Sequence, residues 1–161
     1  MQPRITSPAL SVPGAFDALQ ALSKAANAAA TKAGVPQSTV ELIHLRASQI
    51  NRCAVCLDLG CRVAKKRGEP MDDRLIMLSA WQDTAYFDEA ERAALALTEA
   101  ATRLSDRENA VPDEVWNEAA KHYDEPGLAA LVLHIALINV WNRLNVTTGQ
   151  QAGEWLDQWA A

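Results

Sequence analysis

The chain has 161 residues, of which 49% are hydrophobic and 22% are charged. These values fit one globular domain that can bury its own core, and they exclude a chain that is disordered over most of its length. The formal net charge of −5 argues against a nucleic acid or an anionic membrane as partner, because both attract basic patches.

Targeting signals are not evident in the sequence. No stretch reaches the roughly 18 uninterrupted apolar residues of a membrane span, and the N-terminus carries Pro3, Pro8 and Pro13 instead of the apolar core of a secretory signal. We therefore expect a cytoplasmic protein. Its three cysteines cannot all pair within the chain, and a close pair in a reducing compartment is typical of catalysis or metal binding.

The first third of the chain predicts an arm followed by two helices. Residues 1–12 are expected to form an extended arm. A helix then runs to about Lys32, where Gly34-Val35-Pro36 is typical of a helix end. Ser38 and Glu41 have the spacing of a capping box, which predicts that Ser38 caps the next helix.

The rest of the chain also has helical periodicity, and we predict one all-α domain, a bundle of about seven helices. Asn51-Arg52 indicates a junction before the helix that contains the cysteines, and Trp155 and Trp159 are spaced to share one face of a helical tail. The predicted helices are 53–67, which ends before Gly68 and Pro70, and 72–81, 88–103, 112–122 and 128–146.

The dithiol Cys53-Ala54-Val55-Cys56 is the strongest chemical signal. In the first turn of a helix, unpaired N–H groups and the helix dipole stabilise a thiolate, which is the nucleophilic form of cysteine. Three residues correspond to about 300° of helix, so both sulfurs share a face and can approach bonding distance. Cys61 lies about 140° from Cys56 and is expected to be a small buried side chain outside the pair.

Two other interpretations of the pair are less favoured, a zinc site and a purely structural role. Half of a zinc site would need a second pair of ligands, and the remaining Cys61, His44, His122 and His134 do not supply one at a regular spacing. We therefore predict no metal and no cofactor. The two cysteines could also be no more than small buried side chains.

Residues 41–59, ELIHLRASQINRCAVCLDL, resemble the core motif of the alkylhydroperoxidase D-like family within the carboxymuconolactone decarboxylase superfamily. The glutamate twelve residues before the first cysteine has the spacing of that motif, and residues 137–145, LINVWNRLN, extend the resemblance. The resemblance implies all-helical subunits that assemble into trimers or hexamers. It also implies a dithiol that reduces hydroperoxides and is regenerated by a protein-borne thiol of the lipoyl or thioredoxin type.

By this resemblance Cys53 and Cys56 are the redox pair, and Glu41 is the carboxylate of a proton relay that runs through water and a histidine. Members usually carry histidine four residues after the second cysteine, where this chain has Gly60, and an aromatic residue or histidine where it has Val55. His44, one turn after Glu41, is the candidate replacement for the missing imidazole. Gly60 predicts either a pocket or a close helix crossing.

The leading functional hypothesis is a thiol peroxidase or disulfide reductase that acts on organic hydroperoxides or a small disulfide. The alternatives are a carboxymuconolactone decarboxylase-like enzyme and a helical oligomer that has lost catalysis and serves binding or assembly. The apolar helix 128–146 and the tryptophans of the tail offer more apolar surface than one small bundle hides, which predicts a homo-oligomer.

Overall fold

The computed structural model describes residues 2–66 and 72–159, and in this part of the chain helices are joined by short turns and loops, without a β-strand. The predicted all-α class is confirmed. The helices are α1 Pro8–Ser11, α2 Ala15–Lys32, α3 Gln37–Ile50, α4 Ala54–Lys66, α5 Asp72–Met77, α6 Glu89–Thr102, α7 Asp113–His122 and α8 Glu125–Thr148, with 3₁₀ segments at Leu78–Asp83, Leu104–Asp106 and Glu154–Trp159.

Helices α3, α6 and α8 form the centre of the bundle, with α2 packed against α8, α7 against α6 and α4 against α3. By length and composition α8 could span a membrane, since its mean hydropathy reaches 1.4. Its apolar character has another cause here, because Leu131, His134, Ile135 and Asn142 are almost fully buried inside the bundle. α8 is the central core helix.

The predicted capping box at Ser38 is wrong, because α3 begins two residues earlier. Pro36 is the N-cap and no side chain caps the helix. Val35 and Val40 are both buried in the main core cluster, at the positions before the cap and in the second turn that form a hydrophobic staple. Apolar burial therefore sets the start of α3, and Glu41 lies inside the helix on its buried side.

Four further expectations need correction or fall outside the described residues. The arm is not extended throughout, since Pro8–Ser11 forms one helical turn. The tail forms a 3₁₀ helix, in which residues four apart lie about 120° from each other, so Trp155 and Trp159 do not share a face. The predicted helix 72–81 changes from α-helical to 3₁₀ geometry at Leu78. Arg67, Gly68 and Pro70 lie outside the described residues.

An ion pair joins α3 to α6. Arg46 Nε donates to Glu99 Oε1 at 2.7 Å, Trp81 Nε1 donates to the same oxygen at 2.8 Å, and Arg103 pairs with the other oxygen at 3.2 Å. Burial alone would raise the pKa of Glu99, but these hydrogen bonds and the two guanidinium charges lower it overall. The carboxylate is thus held ionised between helices that position the dithiol.

Gly60 marks a close crossing of α4 over α3. A β-carbon at Gly60 would stand 2.8 Å from Cδ2 of Leu45, which is 2% exposed. Of the two possibilities that the sequence left open, the close crossing is confirmed. The leucine fills the space beside this residue, so a larger side chain at position 60 requires Leu45 to move.

Candidate active site

The dithiol follows a sharp turn between α3 and α4. Arg52 N–H donates to the Gln49 carbonyl at 3.2 Å and Cys53 N–H donates to the Ser48 carbonyl at 3.0 Å, which is the Schellman pattern of a helix end. Arg52 has φ of 56°, the left-handed conformation that this motif requires. Because the turn is so short, Cys53 comes immediately before α4, and the predicted junction at Asn51-Arg52 is confirmed.

Cys53 caps α4 with its side chain. Its carbonyl accepts the N–H of Leu57 at 3.0 Å, and its sulfur accepts the N–H of Cys56 at 3.3 Å. The sulfur therefore takes the place that a serine or aspartate oxygen usually has at a helix start. A negative charge on it is stabilised by the unpaired N–H groups and the dipole of the helix.

The two thiols differ in acidity. The side chain of Cys56, followed by its backbone N–H and the amides of Asn145 and Asn142, lowers the pKa of Cys53 to about 7 against the opposing effect of burial. The hydrogen bond to Cys53, burial and the charge of Cys53 raise the pKa of Cys56 above its ordinary value. Cys53 is thus the thiol that ionises near neutral pH, and Cys56 is the proton donor beside it.

A ladder of asparagines on α8 supports the pair. Asn145 Nδ2 donates to Cys56 Sγ at 3.5 Å, and Asn142 Nδ2 donates to Ser48 Oγ at 3.0 Å. Asn51 Nδ2 donates to Asn139 Oδ1 at 2.8 Å and to Asn142 Oδ1 at 2.9 Å. These bonds fix the end of α3 against α8, so the turn that carries Cys53 is held from both sides.

The C-terminal segment covers one side of the dithiol. Leu156 is 2% exposed and packs in a small cluster with Cys53 and Val55. The N–H of Gly153 donates to Asp58 Oδ2 at 3.0 Å, and Arg62 joins Asp58 to the tail residue Asp157. The tail thereby excludes water from one face of the Cys53 thiol, which is 1% exposed.

A cavity of about 160 Å³ opens on the other side of Cys53, between the α3–α4 turn and the C-terminal end of α8. It is lined by Arg52, Cys53, Ala54, Asn145, Val146, Gly149 and Gln150. A larger cavity of about 430 Å³ lies near the starts of α3 and α6. None of the residues that line the larger cavity is a cysteine, so of these two cavities the smaller one borders the dithiol.

The structure brings together some of the predicted site residues and separates others. Cys53 and Cys56 are in contact through the Cys56 N–H. Glu41 is buried about three turns before the Schellman turn. His44 faces α8, where its Nε2 lies 3.2 Å from Nδ1 of His134. Burial, and then His134, lower the pKa of His44 to about 3, so this imidazole is neutral at pH 7 and faces a second imidazole.

Cys61 lies apart from the pair. It packs beside the second core cluster, with Leu45 and Leu78, whereas Cys53 belongs to the cluster with the tail. Burial raises the pKa of the Cys61 thiol, with a smaller opposing effect of Lys65. All three cysteines are free thiols. Within residues 2–66 and 72–159, no group of three or more His, Cys, Asp or Glu residues is placed to hold a metal ion.

The groups that surround the thiols are not among the residues predicted from the sequence. Asn139, Asn142 and Asn145 recur every three residues in an otherwise apolar helix, which places them on one face and signals a buried polar function. The cover from Leu156 has no such signal, because it depends on the tail folding back onto α4. The left-handed conformation of Arg52 also has no signal in the sequence, because the position is not a glycine.

Residues 13–100 match the sequence model of the carboxymuconolactone decarboxylase family. The uncharacterized protein YdfG of Bacillus subtilis is 38% identical over 121 residues, or 75% of this chain and 80% of YdfG. The uncharacterized protein YnjA of Escherichia coli is 31% identical over 105 residues, or 65% of this chain and 55% of YnjA.

Solved structures share the fold. An Agrobacterium tumefaciens protein of unknown function, for which an antioxidant-defence role of the AhpD type has been suggested, aligns with a TM-score of 0.81 at 29% identity over 94% of this chain and 99% of its own. The debrominase Bmp8 aligns with a TM-score of 0.75 at 22% identity, over 92% of this chain and 76% of Bmp8. Together with the match of residues 13–100 and with YdfG, these findings show that the chain belongs to the carboxymuconolactone decarboxylase family, with an alkylhydroperoxidase D-like fold.

Proposed function

We propose that the protein is a dithiol oxidoreductase that reduces organic hydroperoxides, with Cys53 as the attacking thiol and Cys56 as the resolving thiol. One observation carries this proposal: the cavity beside the dithiol opens onto Cys53, the same thiol whose pKa is lowered to about 7. The cysteine that borders the cavity is therefore also the one whose thiolate forms near neutral pH. The antioxidant role suggested for the Agrobacterium relative supports the same chemistry.

In the first step, the Cys53 thiolate attacks the terminal oxygen of the hydroperoxide. An S–O bond forms and the O–O bond breaks, so the sulfur is oxidised to a sulfenic acid and the peroxide is reduced to an alcohol. The departing alkoxide needs a proton. The Cys56 thiol is hydrogen-bonded to Cys53 and keeps its proton at neutral pH because its pKa is raised, so it can supply that proton at a site where the family's imidazole is replaced by Gly60.

In the second step, Cys56 attacks the oxidised sulfur of Cys53. The S–S bond forms, the S–O bond breaks, and the hydroxide that leaves takes a proton from solvent to become water, because Cys56 has already given its own proton to the alkoxide. The disulfide must then be reduced by two electrons from a dithiol, and we propose a protein-borne thiol of the lipoyl or thioredoxin type as reductant. Glu41 remains the proposed relay carboxylate. The imidazole of His44 is paired with His134, which argues against a relay through His44.

Mass spectrometry after one equivalent of cumene hydroperoxide tests this assignment. We expect a Cys53–Cys56 disulfide with Cys61 free. In Cys56→Ser the reaction should stop at a sulfenic acid on Cys53, which dimedone traps, whereas Cys53→Ser should yield little trapped product. A bridge that contains Cys61, or no bridge at all, would contradict the proposal and favour the non-catalytic binding role.

We also propose that the protein is a cytoplasmic homo-oligomer, a trimer or hexamer as the resemblance implies. The outer face of α8 exposes Val132, Val140 and Val146, which are spaced to form one apolar stripe. Sedimentation at tens of micromolar should show a single oligomer, because an obligate interface is filled at that concentration. Val140→Glu should shift it toward the monomer, and a wild-type monomer would contradict the proposal.

A further inference from the structure

The cavity beside Cys53 carries a positive charge. Among the residues that line it, Arg52 and Cys53 are the only ionisable ones. A second arginine, Arg4, lies against Gly149 on the cavity wall and donates through its guanidinium to the Thr147 carbonyl at 2.9 Å. The carboxylates of Asp58 and Asp157 on the covered side are already paired with Arg62.

Arg52 occupies its place at a conformational cost. Its φ of 56° is the left-handed conformation in which the β-carbon of an L-residue is crowded, and the position it holds in a Schellman motif is most often glycine. The side chain is exposed and makes no hydrogen bond or ion pair with the described part of the chain. A strained residue whose side chain has no structural partner is typical of a functional position.

We infer that Arg52 binds an anionic group of the substrate, so that the preferred substrates are hydroperoxides that carry a carboxylate. This inference rests on the proposed function and adds the class of substrate. A guanidinium matches a carboxylate through two parallel hydrogen bonds. The cavity, at about 160 Å³, is smaller than the roughly 300–1,000 Å³ of a site that encloses a whole ligand. It therefore admits the reacting end of the substrate while the carboxylate stays at the mouth beside Arg52.

Alkylation of Cys53 by iodoacetate and iodoacetamide tests the charge of the site without requiring peroxidase activity. The two reagents have nearly the same size and differ by one negative charge. In both reactions the sulfur displaces iodide from carbon, and the ratio of the two rates cancels the fraction of thiolate. With 2-mercaptoethanol as the neutral reference thiol, the iodoacetate-to-iodoacetamide ratio at Cys53, measured by mass spectrometry, should be higher by about 3- to 10-fold at low salt and should decline in high salt.

Variants at position 52 separate the effect of the guanidinium charge from the effect of the left-handed backbone conformation. Arg52→Gln and Arg52→Gly should both lower the ratio by about 3- to 10-fold, and the glycine variant keeps the turn unstrained should the glutamine variant fold poorly. Arg52→Lys should keep most of the ratio. Lys32→Gln is the matched control, because it removes one exposed positive charge at the end of α2. The helix α3, which is about 20 Å long, separates this end of α2 from the turn at Arg52, so the ratio should stay unchanged. A ratio that stays the same in both neutral Arg52 variants overturns the inference.

Hydroperoxides then connect the charge to turnover. The wild type should reduce a ring-carboxylated cumene hydroperoxide faster than cumene hydroperoxide itself, and in Arg52→Gln the ratio of these two rates should fall toward one. Reduction of both compounds at equal rates by the wild type overturns the inference and leaves the proposed function intact. An alkylation ratio that depends on Arg52, in a protein that reduces neither compound, overturns the proposed function and leaves the anion site in place.

Discussion

Helices α4, α6 and α8 each begin with a side-chain cap, and the caps of α6 and α4 differ in chemistry. At the start of α6, Asp88 Oδ1 accepts the N–H of Glu91 at 2.8 Å while Glu91 Oε2 accepts the N–H of Asp88 at 3.1 Å. At the start of α4, the sulfur of Cys53 accepts the N–H of Cys56 at 3.3 Å. A carboxylate cap is charged throughout the neutral range, whereas the thiol cap gains its charge near pH 7.

Both helix starts need an acceptor for their unpaired N–H groups. At α6 this acceptor contributes to stability, whereas at α4 it is also the reactive group. The α6 cap satisfies two N–H groups reciprocally, and Glu91 also pairs with Arg74. The role of this cap is therefore structural. At the α4 cap the hydrogen bond is longer, and sulfur is a weaker acceptor than a carboxylate oxygen. Its charge is stabilised by the same helix end, but a thiolate is a nucleophile, and a cavity opens beside it. Substitutions at the two caps should therefore have opposite effects on stability and activity.

The largest effect is expected for Cys53→Ser. Serine is a favourable N-cap, so the free energy of unfolding at pH 7 should change by no more than about 1 kcal/mol, while hydroperoxide reduction should fall by more than about 10³-fold, as for loss of a nucleophile. Urea denaturation and a peroxide-consumption assay measure the two quantities. Cys61→Ser, which removes the thiol outside the site, should keep the wild-type rate. Substantial turnover by Cys53→Ser would exclude Cys53 as the nucleophile.

The next effect is a dependence of stability on pH that only the thiol cap should show. The pKa of Cys53 is lowered from the ordinary value of 9.0 to about 7, so the folded state loses this proton at a lower pH than a thiol without these contacts. The resulting stabilisation is absent below about pH 7, grows between pH 7 and 9, and reaches on the order of 2 kcal/mol. Above pH 9 the raised pKa of Cys56 acts in the opposite direction. Urea titrations of wild type and Cys53→Ser should diverge between pH 7 and 9, and parallel curves would contradict the thiolate cap.

Asp88→Ala should reverse the pattern of Cys53→Ser. Loss of the capping box is expected to lower the free energy of unfolding by about 1–2 kcal/mol, equally at pH 7 and pH 9, because ordinary carboxylates do not titrate in that range. The alkylation rate of Cys53 should stay at the wild-type value. Asp113→Ala is the matched control, since Asp113 is an exposed acid in the first turn of α7 without a capping bond, and its loss should cost only a few tenths of a kcal/mol.

The two caps also show what the sequence can predict. The dithiol, the junction at Asn51-Arg52 and the helix order follow from local signals, because each depends on residues a few positions apart. The capping box was predicted at Ser38 and is found at Asp88. Both sequences have the right spacing, and burial of Val35 and Val40 decides that α3 begins earlier. Core packing thus overrides the capping-box spacing at Ser38, whereas the same spacing at Asp88 does form a capping box.

The surroundings of the thiols depend on long-range contacts. Asn145 is 89 residues from Cys56, and Gly153 is 95 residues from the Asp58 side chain that holds it. Such contacts require the packing of α8 and the tail against α4, which no local pattern contains. The glycine at position 60 was noted in the sequence, but only the position of Leu45 explains it.

A smaller effect is expected for Asn145→Ala, which weakens the thiolate without removing it. The amide donates to Cys56 Sγ and lowers the pKa of Cys53, so its loss should raise that pKa and slow iodoacetamide alkylation of Cys53 at pH 7 by about 2- to 5-fold. Asn145 lies in the last turn of α8, where alanine is a good helix former, so the helix should persist. Asn117→Ala on the exposed face of α7 is the matched control. An unchanged alkylation rate in Asn145→Ala would show that the backbone N–H and Cys56 alone set the acidity.

The smallest effect concerns the turn that brings the thiol to the helix start. Arg52→Gly should stabilise the protein by about 0.5–1 kcal/mol, because glycine adopts the left-handed conformation at φ of 56° without the crowding of a β-carbon, while its greater freedom in the unfolded chain offsets part of the gain. Arg52→Ala is the matched control, since it removes the same guanidinium and keeps the β-carbon. Urea denaturation should therefore place the glycine variant above the alanine variant, with the alanine variant near the wild type. Equal stability of the two variants would mean that the turn carries no strain, and Arg52 would then be explained without a functional reason for its conformation. A more stable glycine variant that has also lost the preference for iodoacetate would show that the wild type accepts a less stable turn to keep a positive charge beside Cys53.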